Sequence, residues 1–77
     1  MEMITVTAEN VPATGLTEMT VTRDGVVASV KWLDLASGMV TRAVAKTAES
    51  AVAGLSPAVI VDCDVTADRY SVTVRAG

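Results

Sequence analysis

The chain has 77 residues, of which 51% are hydrophobic and 19% are charged, and it carries a formal net charge of −3. A length of this order predicts one domain, residues 1–77. Six scattered basic residues do not make the basic footprint that nucleic-acid binding requires, and no apolar run approaches the ~20 residues that span a bilayer, so neither partner is predicted.

The N-terminal segments predict two strands. Ile4, Val6 and Ala8 alternate with polar residues, and Met19 and Val21 alternate with threonines. A period of two is typical of a strand that buries one face. The segment "VPATG" separates the two runs and supplies the proline and glycine of a turn.

A hairpin turn is predicted at Asp24 and Gly25, because an Asp-Gly pair between alternating segments is a strong hairpin signal. The third strand, "VVASVKWLDL", follows it. One of its faces is apolar throughout and is predicted to point inward: Val26, Ala28, Val30 and Trp32. Val27 and Leu33 are then predicted to point outward.

The middle of the chain gives weaker patterns. After a turn at Ser37 and Gly38, residues 39–47 predict a fourth strand with Val40 and Val44 on one face, although Arg42 falls on that same face.

The next stretch, 47–56, leaves two alternatives open. It reads either as a short helix capped by Thr47, with Gly54 near its end, or as a long loop that crosses from one sheet to another.

The last third of the chain alternates most regularly. A fifth strand follows Pro57 and places these residues on one face: Val59, Val61, Cys63 and Val65. A sixth strand turns these residues inward: Tyr70, Val72, Val74 and Ala76. The fold class predicted is all-β, a small antiparallel β-sandwich or barrel of about six strands, with one short helix or a long loop at 47–56.

Two stretches carry a family resemblance. "ASVKWLD" resembles the second strand of fibronectin type III and related immunoglobulin-like modules, and "DRYSVTVRAG" resembles their Tyr-x-Val-x-Val-x-Ala strand. The resemblance covers about a fifth of the chain and implies a β-sandwich in which Trp32 is the buried core tryptophan and Tyr70 the core tyrosine. The chain departs from those modules, which have about seven strands, and it lacks the immunoglobulin disulfide.

Catalytic chemistry is not expected. There is no histidine to activate a hydroxyl or a thiol, and the Gly-x-Ser-x-Gly elbow of hydrolases is missing. The single cysteine, Cys63, is interpreted as a buried structural residue, and no cofactor is predicted.

Three acidic residues form the one candidate metal site. Asp62 and Asp64 project from the same side of a strand, and Asp68 follows in the next turn, so the three could gather a calcium ion. The competing interpretation, which we favour, is that outward strand charges provide solvation and discourage edge pairing.

Protein contact is the best-supported activity. Apolar residues on the outer strand faces, with the outward residues of the last strand, make up a candidate interface: Val27, Leu33, Leu35, Ile60, Ser71, Thr73 and Arg75. A core this small lacks a disulfide or zinc staple, and the final strand has no successor to pair with, so we expect another chain to complete one sheet edge.

Three functions are compatible with these features. The first is a non-enzymatic structural protein in an oligomeric assembly, such as a decoration, tail or neck protein of a bacteriophage virion. The second is a monomeric inhibitor or adaptor, and the third is a calcium- or carbohydrate-binding β-module. The N-terminus shows neither the basic flank nor the apolar stretch of a signal peptide, so synthesis in the cytoplasm is expected.

Overall fold

The computed structural model describes residues 2–66 and 69–77. These ranges contain five strands: β1 (Glu2–Val11), β2 (Leu16–Arg23), β3 (Val26–Leu33), β4 (Ala58–Val65) and β5 (Arg69–Ala76). A short 3-10 turn, Ser37–Met39, leads into one helix, α1 (Val40–Ala51). The all-β prediction with one short helix is confirmed, and the described ranges hold five strands where about six were expected.

The strands form a single antiparallel sheet in the order β3-β2-β1-β5-β4. β5 therefore lies inside the sheet and pairs with β1 on one side and β4 on the other. The last strand was expected to lack a partner within the chain, and this is wrong, because it pairs with the first strand, β1, as well as with β4. The two edges are β3 and β4, which are consecutive strands of the chain and are connected through α1.

Helix α1 packs on one face of the sheet, across β1 and β5. We call this the helix face, and the opposite face of the sheet the open face. A helix therefore occupies the place that the second sheet of a sandwich would take. The core between the two layers consists of small and branched side chains: Ile4, Val6, Ala8, Met19, Val21, Val44, Ala48 and Val72.

The stretch predicted as a fourth strand, 39–47, is helical. Val40, Val44 and Ala48 recur every four residues, which places them on one side of a helix, and Val44 and Ala48 are buried. In a strand, Arg42 would share a face with the two valines, whereas in the helix it is exposed to solvent. The misplaced arginine was the signal in the sequence that favoured the helix.

Of the two alternatives for 47–56, the short helix is the one found, although it begins at Val40 rather than at Thr47. The helix runs through 47–51 as the end of a longer element that begins at Val40, and turns follow it. Gly54 has φ of 82°, a left-handed conformation that costs glycine little, and it lets the chain reverse toward β4.

The predicted hairpin between β2 and β3 is confirmed. Asp24 and Gly25 both have positive φ, 49° and 83°, as a type I′ turn requires. The Asp24 carboxylate also accepts a hydrogen bond of 2.9 Å from the backbone N–H of Met3, and the Asp24 N–H donates one of 2.8 Å to the Met3 carbonyl. The turn is thus fixed to the start of β1.

The predicted inward face of β3 is wrong. Trp32 lies opposite Glu18 and Val30 lies opposite Thr20, and all four are on the open face because directly opposed residues of an antiparallel pair share a face. Trp32 is 52% exposed. A bulge at Ala28 explains the error: the extra residue shifts the alternation, so Val26 and Val30 no longer share one face.

The two aromatic residues implied by the family resemblance have different positions. Trp32 is not a core residue, whereas Tyr70 is partly buried and packs against the core cluster on the helix face. Leu33 and Leu35, predicted to be outward, also pack against that cluster.

A second bulge breaks the alternation of β4. It falls at Val61, so Val59 lies opposite Arg75 on the open face while Cys63 lies opposite Val72 on the helix face. The four residues predicted to share one face of this strand are therefore divided between two. Cys63 is exposed, which corrects the expectation that it is buried.

Candidate interaction surface

The two sheet edges are exposed along almost their whole length. Every residue of β4 is exposed, and so is every residue of β3 except Leu33, which is half-buried. Within the described ranges each of these strands pairs on one side only, so alternate backbone N–H and C=O groups on the other side face solvent.

Apolar exposure is concentrated on the same two strands. Of the ten large hydrophobic residues that are exposed in the described ranges, eight lie on β3 or β4. They are Val26, Val27, Val30 and Trp32 on β3 and Val59, Ile60, Val61 and Val65 on β4. Unsatisfied backbone groups and uncovered apolar surface thus coincide at both edges.

On β3 the apolar residues of the open face form a row, which we call the β3 stripe: Val27, Val30 and Trp32. Only Val27 was predicted to lie at an interface. Strict alternation predicts that the other two lie in the core, because it takes no account of the bulge that changes their face. The Gly-free segment "VVASVKWL" gives no local signal for the bulge.

The middle of the open face is polar and its hydroxyl groups bond to one another. Thr5 and Thr73 are 3.1 Å apart at their hydroxyl oxygens, and Thr7 and Ser71 are 3.2 Å apart. These cross-strand pairs satisfy part of their own hydrogen-bonding capacity. On the open face, β2 lies between the apolar β3 stripe and this surface of paired hydroxyl groups.

On the helix face, α1 leaves β4 uncovered. A groove of about 290 Å³ lies between the two elements, and its walls include Ala48 and Val52 from the helix side and Ile60 from β4. Glu49 is the one charged residue among those lining it in the described part of the chain. Ile60, which is 66% exposed, lies at this groove and on the face opposite to the β3 stripe.

The seven residues of the predicted interface do not form one patch. Val27 is on the open face at one edge, and Ile60 is on the helix face at the other. Ser71, Thr73 and Arg75 lie on the open face of the internal strand β5, and Arg75 is exposed. The sequence located apolar surface on the right strands, while the bulges decided which face each residue occupies.

The acidic residues of the calcium hypothesis are partly described. Asp62 and Asp64 lie on the open face of β4, opposite Thr73 and Ser71. Asp68 lies outside the described residues. Within those residues, no group of three or more potential ligands is arranged to hold a metal ion.

Cys63 is placed next to a second titratable group. Its thiol lies 3.8 Å from the hydroxyl oxygen of Tyr70, on the helix face beside the groove. The hydrogen bond with Cys63 raises the pKa of Tyr70 above its ordinary value of 10.0, and partial burial and the charge of the thiolate act in the same direction.

Comparisons of the chain with protein-family models, with curated proteins and with solved structures found no match. None of the helical residues described here forms a segment long and apolar enough to cross a membrane.

Proposed function

We propose that the protein is a small, non-enzymatic interaction protein that works in an oligomeric assembly and joins its neighbours through the edges of its sheet. The observation that carries the proposal is the coincidence of backbone and apolar exposure, with eight of the ten exposed large hydrophobic residues of the described ranges on β3 and β4.

A strand that pairs with a sheet edge covers both the unpaired backbone groups and the exposed apolar side chains of that edge. A strand added to a sheet edge forms main-chain hydrogen bonds with the groups that otherwise face solvent, and its side chains contact those of the edge strand on both faces. Folded proteins that stay monomeric usually protect long apolar edges with charges, proline or a covering element. Here β3 carries one charged residue, Lys31, within Val26–Leu33.

The setting we favour is a virion accessory protein of a bacteriophage, in a decoration, tail or neck position. Such a role needs a compact domain that repeats in a symmetric array and forms contacts rather than catalysing a reaction. The small size, the acidic balance and the two open edges of this chain support that proposal.

Light scattering after size-exclusion chromatography, over a dilution series, tests the assembly role. The wild-type chain is expected to elute at a multiple of its 7.9 kDa mass and to dissociate on dilution. Val30→Lys on β3 and Ile60→Lys on β4 each place a charge at an edge, and at least one of them is expected to lower the mass.

Ser50→Lys is the matched control, because Ser50 is exposed on α1, shares its surroundings with helix-side residues only, and receives the same charge. A wild-type chain that stays monomeric at high micromolar concentration would contradict the proposal and would favour the monomeric adaptor instead.

A further inference from the structure

We infer that β3 pairs with β3 of a second copy of the chain, antiparallel and across a two-fold axis perpendicular to the sheet. The inference rests on the proposed assembly role and specifies which edge carries it. It joins two sheets into one continuous sheet with both helices on the same side, and it leaves β4 as the outer edge of each copy.

Charge argues against the corresponding pairing of β4 with itself. Asp62 and Asp64 both lie on the open face of β4. A two-fold axis perpendicular to the sheet keeps the open faces together, so it would bring four carboxylates to one seam. Like charges on facing strands destabilise a pair, and these two aspartates therefore protect the β4 edge.

Backbone regularity favours β3 as well. Its bulge at Ala28 lies near one end and leaves residues 29–33 with unbroken alternation. The bulge of β4 at Val61 lies in the middle of that strand and divides it into two shorter runs. Because a bulge interrupts the ladder of hydrogen bonds, β3 offers the longer template for a new strand.

Pairing β3 of one copy with β4 of the next is less suitable for a different reason. β3 and β4 run in the same direction, so a continuous sheet with the open faces on one side would pair them in parallel and place the β3 stripe beside Asp62 and Asp64 rather than beside apolar groups. Pairing β3 with itself sets apolar side chains against apolar side chains, and aromatic and β-branched residues are favourable cross-strand neighbours.

The register follows from the charges of β3. Directly opposed residues of an antiparallel pair share a face. The two-fold axis therefore lies at one residue of β3, and that residue faces the same residue of the second copy. With Val30 at that position, two valines face each other, and Lys31 lies opposite Ser29 of the second copy. A register centred on Lys31 would set two lysines directly opposite each other and is disfavoured, whereas the register centred on Val30 sets two apolar residues of the β3 stripe against each other.

Thiol cross-linking of the full-length chain tests the edge and the register together. The first variant combines Cys63→Ser with Val30→Cys, which places its single thiol at the proposed axis. The wild-type chain carries its single thiol on β4. Cys63→Ser with Ser50→Cys, an exposed position on α1, reports random collisions. Each chain is treated with a short bis-maleimide and analysed by denaturing electrophoresis.

The expected result is a covalent dimer for the Val30→Cys variant, with at least tenfold less dimer for the other two. Equal or greater dimer from wild-type Cys63 would overturn the inference in favour of β4. The last variant is Val30→Cys in a chain that keeps Cys63, so that it carries one thiol on β3 and one on β4. If this variant forms trimers and larger products while neither single-thiol chain forms a dimer, the inference is overturned in favour of β3 pairing with β4.

Light scattering on the same samples distinguishes failure of the β3 inference from failure of the assembly role. A chain that is oligomeric but does not cross-link at Val30→Cys contradicts the β3 inference and leaves the assembly role standing. A chain that is monomeric at every concentration contradicts both.

Discussion

The guanidinium group of Arg23, on β2, donates a hydrogen bond of 2.6 Å to the carbonyl oxygen of Ala51, in the last turn of α1. The same side chain contacts the Glu2 carboxylate at 3.1 Å. A cation near the carboxyl end of a helix opposes the negative end of the helix dipole. Arg23 therefore connects the C-terminal end of α1 to both β2 and the start of β1.

Replacing this arginine should loosen the helix from the sheet. Arg23→Met is expected to lower the free energy of unfolding by about 1 kcal/mol, since the bond is charge-assisted but the side chain is partly exposed. Urea unfolding monitored by circular dichroism measures the change. Arg42→Met, at an exposed position of α1, is the control and should change stability little. Equal losses in the two variants would show that the contact contributes nothing specific.

Truncating the small, buried Val44 should cost more stability than truncating the large, exposed Trp32. Val44 is completely buried, whereas Trp32 is 52% exposed. Val44→Ala is expected to cost about 2 kcal/mol through lost burial and the cavity that remains. Trp32→Ala is expected to cost less than about 1 kcal/mol in the monomer, where a buried core tryptophan would have cost roughly 3–5 kcal/mol.

Urea unfolding of both variants at low protein concentration, where association does not contribute, checks the order of the two effects. A larger loss for Trp32→Ala than for Val44→Ala would contradict the placement of Trp32 on the open face.

Glycine should be required in the hairpin turn and dispensable before the helix. Gly25 has φ of 83°, so Gly25→Ala is expected to cost about 1–2 kcal/mol through backbone strain alone, because nothing lies within 4 Å of the added carbon. Gly38 has the same free space without a positive φ, and Gly38→Ala should be nearly neutral. Thermal unfolding of the two variants measures the difference, and similar melting temperatures would refute the turn geometry.

The Tyr70 hydroxyl should titrate differently when Cys63 is changed. The Cys63 thiol raises the pKa of Tyr70, so Cys63→Ala is expected to move that pKa back toward 10.0. Tyr70 is the single tyrosine, and the near-ultraviolet absorbance of its phenolate reports the titration directly. An unchanged midpoint in Cys63→Ala would show that the thiol is not the cause.

The raised pKa also predicts how stability depends on pH. Because the folded-state pKa of Tyr70 lies above the unfolded value, its contribution is fully present below pH 10 and is lost as pH rises through the folded-state pKa. The wild-type chain should therefore lose more stability than Cys63→Ala across that range. Unfolding by urea at several alkaline pH values measures the two slopes.

Local pattern was sufficient for the strands with an unbroken alternation. Ile4, Val6 and Ala8 on β1, and Val72 and Val74 on β5, were assigned to the core correctly, and all five are buried. These strands occupy the middle of the sheet, where each strand has a neighbour on both sides. There, the position of a residue in the alternation decides its face and therefore whether it is buried.

The same reasoning failed for the edge strands and for the helix. A single bulge in β3 and another in β4 reverse the parity of every residue beyond them, and no residue type in either segment marks the bulge. In α1, valines spaced by four residues satisfy a period of two as well as a helical period, so the valines alone did not decide between the two, and Arg42 was the residue that favoured the helix.

The sequence by itself determined the class of fold and the Asp24-Gly25 turn, because alternation and turn chemistry act between residues that are close along the chain. Tertiary structure alone decided that β1 and β5 meet in the middle of the sheet and that β3 and β4 are left at its edges. That choice depends on which distant strands bury the most apolar surface beneath α1, a quantity that belongs to the whole chain and to none of its segments.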